Sequence, residues 1–123
     1  MMPFAAGLGI ELAAAAPDEV TASMAWRPEL CTTLGAMHGG AMMAMADSVG
    51  AVCAFLNLPD GATTSTIESK TNFFRGVREG RVHATTRPLH VGRTTIVVQT
   101  DLRDARGKRV AQVTQTQAVI QPS

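Results

Sequence analysis

From Gly40 to Leu56 the chain is almost wholly apolar, interrupted only by Asp47, Ser48 and flanking small residues. That run predicts a helix over roughly Gly40 to Asn57, stopped by Asn57 and the Pro59-Asp60-Gly61 turn. A helix apolar all round is buried, so the pattern places Asp47 in the interior, where a carboxylate needs a partner. Ahead of it, Ile10 to Ala14 and Val20 to Trp26 read as two strands joined through Ala15 to Glu19. In the second, Val20, Ala22, Met24 and Trp26 alternate against Thr21 and Ser23, and Arg27-Pro28 ends it. Glu29 to Met37 has no period and reads as a loop.

After the helix the period changes to two. Strands are expected over Thr63 to Phe74, Val82 to His90, Thr94 to Arg103 and Arg109 to Gln121. Asp104-Ala105-Arg106-Gly107 is a hairpin signal between the last two. The order β-β-α-β-β-β-β predicts an α+β fold, with one face of an antiparallel sheet covering a single helix. With 123 residues, the sequence is expected to form a single domain over 1–123. Its 46% hydrophobic and 17% charged residues exclude a disordered chain. The apolar run is short for a membrane span and carries Asp47, so a core helix is expected rather than a membrane partner.

Charge is lopsided beneath a net of +1. Residues 1–74 hold two basic and seven acidic side chains, whereas 75–123 hold nine basic and three acidic. The second half therefore suits an anionic partner, or simply solvated hairpin turns. Nucleic acid is not expected, because one Trp, four Phe and no Tyr offer no stacking platform. Cys31 and Cys53 are outside any paired-cysteine motif and His38, His83 and His90 lack ligand spacing, so no metal site is expected. Reduced thiols and the lack of a secretion signature suggest a cytoplasmic protein.

Candidate chemistry gathers on the helix. The first N–H groups of a helix lack partners and carry the positive end of its dipole. Glycine lets another group approach them closely. In His38-Gly39-Gly40, the Gly39 N–H, with Gly40 beside it, suits a carbonyl oxygen that gains charge during reaction; the alternative is a plain tight turn. Asp47 lies eight residues on, about 12 Å along the axis. One carbonyl cannot reach both groups on one helix, so a shared site needs a second, antiparallel copy across a two-fold axis. Met43, Ala44, Gly50 and Ala51 flank Asp47, and the small ones among them favour close approach. Met42, Met43 and Met45 read as core packing.

Gly35-Ala36-Met37-His38-Gly39-Gly40, with Asp47 nine residues after the histidine, resembles the hotdog-fold acyl-CoA thioesterases. The likeness is to the branch with the phenylacetate-pathway and 4-hydroxybenzoyl-CoA enzymes. Pro3-Phe4, Leu8-Gly9-Ile10-Glu11, Thr66-Ile67-Glu68, Asn72-Phe73-Phe74-Arg75, Gly92-Arg93 and Gly107-Lys108 extend it over the whole chain. The resemblance implies a hotdog fold: an antiparallel five- to six-stranded sheet around one long central helix, in a homodimer that often pairs into a homotetramer. It implies acyl-CoA hydrolysis, with coenzyme A as part of the substrate and no separate cofactor. Gly39 corresponds to the oxyanion glycine and His38 to its supporting histidine. Asp47, from the partner subunit, corresponds to the nucleophile or general base, and Thr66 to a residue placing the attacking water.

Two positions depart from the pattern. Thr32 stands where the family commonly has Asn or Gln to bind substrate carbonyl or water, and Gly76 stands where proline often follows. The polyanionic coenzyme A gives the basic half a role, with Gly40, Arg75, Gly92 and Arg93 as candidate substrate contacts. Met42, Met43 and Phe55 are candidate acyl-pocket residues. A related enzyme acting on acyl carrier protein, or a non-catalytic acyl-CoA or metabolite binder, are the alternatives. Thr32 favours the binder.

Overall fold

The computed structural model describes residues 2–122. In chain order it contains α1 (Pro3–Leu8), β1 (Glu11–Ala16), β2 (Glu19–Ala25), a 3-10 turn (Pro28–Leu30) and α2 (Gly39–Leu56). There follow β3 (Thr63–Phe73), β4 (Arg81–Val91), β5 (Thr95–Arg103) and β6 (Arg109–Ile120). All six strands pair antiparallel in the order β1-β2-β4-β5-β6-β3. α2 packs along one face of this sheet, as its pattern predicts.

Most strand limits fall within one or two residues of those expected. The first hairpin is tighter: Ala16 pairs with Glu19, leaving only Pro17-Asp18 in the turn. Asn57 ties that turn to the end of α2, its Nδ2 donating to Pro17 O at 2.8 Å and Cys53 O at 2.9 Å. α1 is not anticipated by any period in the sequence. Its six residues start at Pro3 and end at Gly9, whose φ of +78° needs a residue without a Cβ.

Inward alternation builds the core. Met24, Val82, Ile96, Val98 and Leu102 from the strands meet Met45 and Val49 from α2, all at most 1% exposed. Full burial of such a side chain is worth about 1.5–3 kcal/mol. The expectation that α2 is covered on every side is not met. The sheet shields Met42, Met45, Ala46, Val49 and Cys53, whereas Gly40, Met43, Asp47 and Phe55 are exposed. Of the three methionines read as core, Met43 is therefore on an open stripe, and so is the carboxylate expected to be buried.

β3 forms one margin of the sheet and is exposed over most of its 11 residues. Its register with β6 slips between Thr66 and Glu68, which makes Ile67 a bulge. The slip brings two side chains of β3 to the same side. Residues 66 and 73 have opposite parity in a regular strand, yet Thr66 and Phe73 both turn toward α2.

Candidate active site

The turn into α2 is fixed from three directions. Met37 N–H donates to Val77 O at 2.7 Å and His38 N–H to Leu30 O at 2.7 Å. His38 is then the N-cap, with its Nδ1 accepting the Gly40 N–H at 2.7 Å. A ring nitrogen that accepts carries no proton, so the imidazole N–H is at Nε2. This corrects the expectation for Gly40: its N–H is used by the cap. The Gly39 N–H has no partner among the described residues. The Phe73 ring stands over Gly39, where an added Cβ would be 3.0 Å from Cζ. Both glycines lie tight against a neighbouring ring, Gly39 under Phe73 and Gly40 against His38, and only Gly39 leaves a donor open.

Asp47 projects from the open stripe, but its carboxylate is not loose. Oδ1 accepts from Gln115 Nε2 at 2.7 Å and from Thr66 Oγ1 at 3.2 Å. Thr66 Oγ1 in turn accepts from Gln117 Nε2 at 2.8 Å, and the single Thr64 hydroxyl proton is shared between Ala118 O at 2.8 Å and Gln117 Oε1 at 3.0 Å. Because an amide nitrogen cannot accept, the Gln117 contact turns the Thr66 proton toward Asp47. The chain Thr64–Gln117–Thr66–Asp47 crosses β3, β6 and α2. Oδ2 of Asp47 has no partner among the described residues.

Gln115 and Gln117 are each 1% exposed, and neither stands out in the sequence as a candidate. Their signal is parity: Ala111, Val113, Gln115 and Gln117 share the inward face of β6. Two amides on a core-facing register need partners, and the nearest polar groups are on α2 and β3. Gln115 Oε1 is buried without a partner, a defect of about 1–3 kcal/mol. Hydrogen bonds to a charged carboxylate contribute about 1.5–3 kcal/mol, enough to hold the side chain there. Gly50 lies under Oε1, so it accommodates Gln115 rather than the ligand or second helix expected.

The remaining candidates are more scattered. Thr32 is exposed in a turn where its N–H donates to Ala36 O at 2.8 Å, just before His38. Arg75 lies two residues beyond Phe73 and shares a surface pocket of about 270 Å³ with Arg78, Arg106 and Lys108. Asp104 in that pocket accepts the Lys108 and Arg106 N–H groups. Chiefly the Lys108 N–H holds its carboxyl below the usual range. Gly92 and Arg93 line a different pocket with Asn57, Leu58 and Pro59, past the other end of α2. Four other bases have acidic partners: Arg81 with Glu11, Arg87 with Glu19, and Arg103 and Arg109 with Asp101. Among the described residues no three His, Cys, Asp or Glu side chains gather as a metal site.

One chain therefore brings His38, Gly39 and Gly40 together and Asp47 and Thr66 together, with the two groups on different turns of α2. An apolar groove of about 580 Å³ runs between α1, β1 and α2, at the sheet margin opposite to β3. Ala5, Ile10, Leu12, Val49, Val52 and Phe55 line it. Met42, expected in such a pocket, is instead 3% exposed in the core.

Residues 34–111 match the model of the thioesterase superfamily. The chain is 30% identical over 103 residues to a 1,4-dihydroxy-2-naphthoyl-CoA hydrolase of Escherichia coli, covering 84% of this chain and 76% of the relative. It is 30% identical over 102 residues to the proofreading thioesterase EntH of Cronobacter turicensis, covering 83% and 74%. The crystal structure of thioesterase HI1161 from Haemophilus influenzae superposes with a TM-score of 0.92 at 31% identity, over 96% of this chain and 82% of that one. With its six-stranded antiparallel sheet around one long helix, the chain belongs to the thioesterase superfamily and is a hydrolase of hotdog fold.

Proposed function

We propose that the protein hydrolyses an acyl-CoA thioester at a site built from two antiparallel copies of α2. The observation that carries this is Asp47: a carboxylate on the open face, gripped by one oxygen and unpartnered at the other. A two-fold that sets Gly39 of one copy opposite Asp47 of the other passes at Met43, midway between them on the open stripe. β3, with an unpaired edge, offers a second surface for the same pairing. In that arrangement the Gly39 N–H, at the positive end of the helix dipole, polarises the thioester carbonyl. The partner copy contributes Asp47, which attacks the carbonyl carbon or takes a proton from the attacking water. The C–S bond breaks and coenzyme A leaves as the thiol with a proton from the water consumed; where Asp47 has attacked, that water then cleaves the acyl–Asp47 anhydride and frees the acid. Thr66 retains a lone pair for that water, and His38 holds the turn that aims Gly39.

The acyl group is assigned to the groove lined by Val49, Val52 and Phe55, which runs along α2 past Ser48, next to Asp47 in sequence. Coenzyme A phosphates are assigned to Arg75 at one end of α2 and to Gly92-Arg93 of the other copy. The likeness to a CoA-thioester hydrolase of Escherichia coli supports that substrate class. No separate cofactor is needed, a homotetramer of paired dimers fits the family, and the reaction suits the cytoplasm. A non-catalytic acyl-CoA binder is the second reading, favoured by Thr32, which places a short hydroxyl beside the turn.

Thiol release from a panel of aromatic and aliphatic acyl-CoAs tests the choice. Asp47→Ala is expected to lower kcat by about a hundredfold or more. Unchanged turnover in that variant removes Asp47 from the chemistry. No release by the wild type across the panel favours the binder. Mixing Asp47→Ala with Gly39→Pro subunits restores part of the activity if each site draws on two chains.

A further inference from the structure

We propose that Gln115 is the positioning residue for Asp47, and that position 50 is glycine to admit it. The inference rests on the catalytic reading of Asp47 and adds two residues which that reading does not need. Gln115 comes from β6, the strand paired with β3, and its Nε2 also stands 3.5 Å from Thr66 Oγ1. Its side chain is 1% exposed, and its Nε2 donates to Asp47 Oδ1 at 2.7 Å, the shortest contact the carboxylate makes. The opposite amide orientation would set Oε1 against a carboxylate oxygen, so the donor end must face Asp47.

The other end shows that this contact is favoured over the local optimum. Oε1 is buried without a hydrogen-bond partner. It lies so close to Gly50 that a Cβ there would overlap it and stand 2.9 Å from Cδ. A core position filled for packing alone would hold an apolar side chain and tolerate alanine at position 50. Here an amide is retained with one end unpaired while its other end grips the carboxylate, and a buried unpaired group calls for an explanation, which that grip supplies. Gln115 and Thr66 converge on the same oxygen, which anchors the carboxylate at Oδ1 and leaves Oδ2 without a partner among the described residues. A shift of about 1 Å in such a group is enough to lower turnover on the order of a hundredfold.

The test uses the intact protein and an acyl-CoA that it turns over. Gln115→Met keeps the volume and removes the donor; Gly50→Ala displaces the amide from the opposite side, so a folding failure in one leaves the other informative. Thermal melts accompany both. Each is expected to lower kcat about tenfold or more while KM moves less than about threefold, because binding contacts are untouched. Gly50→Ala made in a Gln115→Ala background is expected to change kcat by less than about twofold, since the group it displaces is gone. Wild-type kcat in folded Gln115→Met, with Asp47→Asn inactive, overturns the positioning role and leaves the catalytic reading standing. Wild-type kcat in Asp47→Asn overturns both. Equal additive losses from Gly50→Ala in the two backgrounds also overturn the proposal, because the methyl then acts on something other than Gln115.

Discussion

On the side of α2 turned to the sheet, Met45, Ala46 and Cys53 are completely buried. On the opposite side, two residues before Met45, Met43 is 39% exposed, and Phe55, two residues beyond Cys53, is 65% exposed. The two faces are made of much the same residues, so hydrophobicity does not distinguish them; their neighbours do. The inner face meets interdigitated strand side chains, and the outer one meets only the Asp47 cluster and the margin of the apolar groove. An apolar stripe with no cover from its own chain, carrying one carboxylate, has the character of a surface that meets another copy or a ligand.

Truncation on the inner face should have the largest effect on stability. Met45→Ala removes a side chain packed on all sides and is expected to cost about 2–5 kcal/mol in denaturant unfolding. Met43→Lys sits two residues away, at the point where the proposed two-fold crosses α2. Folding stability measured on the isolated chain should shift by no more than about 0.5 kcal/mol. Self-association by sedimentation should weaken at least tenfold, about 1.4 kcal/mol, since two ammonium groups would meet across the axis, and activity should fall with it. If Met43→Lys instead unfolds the chain and leaves assembly intact, the outer face is interior to some other packing and the two-copy site is wrong.

The same contrast explains what the sequence makes legible. Strand after strand, β-branched alternation and turn residues identify β2, β4, β5 and β6, and Pro59-Asp60-Gly61 marks the end of α2. α1 is too short for periodicity to register. The exposure of Asp47 is hidden because Met and Ala occur all around α2, so no amphipathic stripe announces the open side. His38 as N-cap is hidden for another reason: Ser, Thr, Asp and Asn are the residues expected there, and a ring nitrogen taking the Gly40 N–H is visible only in three dimensions. Gln115 and Gln117 alternate with Thr114 and Thr116, so both faces of that segment look polar and nothing marks the amides as buried. Their role depends on register with β3, including the bulge at Ile67. The surplus of bases beyond residue 75 is likewise reduced by cross-strand partners such as Glu11 and Glu19, which linear charge counting cannot pair.

The smallest expected effect compares the two thiols, one buried on α2 and one half-buried ahead of it. Cys53 faces the core from α2, and burial first, then the Asp18 charge, pushes its thiol above the ordinary 9.0. Cys31 is half-buried beside the turn into α2. Near pH 8 a thiol reagent should modify Cys31 and spare Cys53 until denaturant opens the core. The sign of the pH effect comes from the upward shift. An unfolded chain releases the Cys53 proton near 9.0 while the folded chain still holds it, so rising pH favours unfolding. The contribution is complete below 9.0 and is lost as pH climbs toward the folded value. Unfolding midpoints of wild type should therefore decline through that window more steeply than those of Cys53→Ala, whatever offset the lost sulfur introduces. Parallel declines, with Cys53 reacting as fast as Cys31, would mean that the inner face of α2 opens to solvent without global unfolding, and its distinction from the open face would not hold in solution.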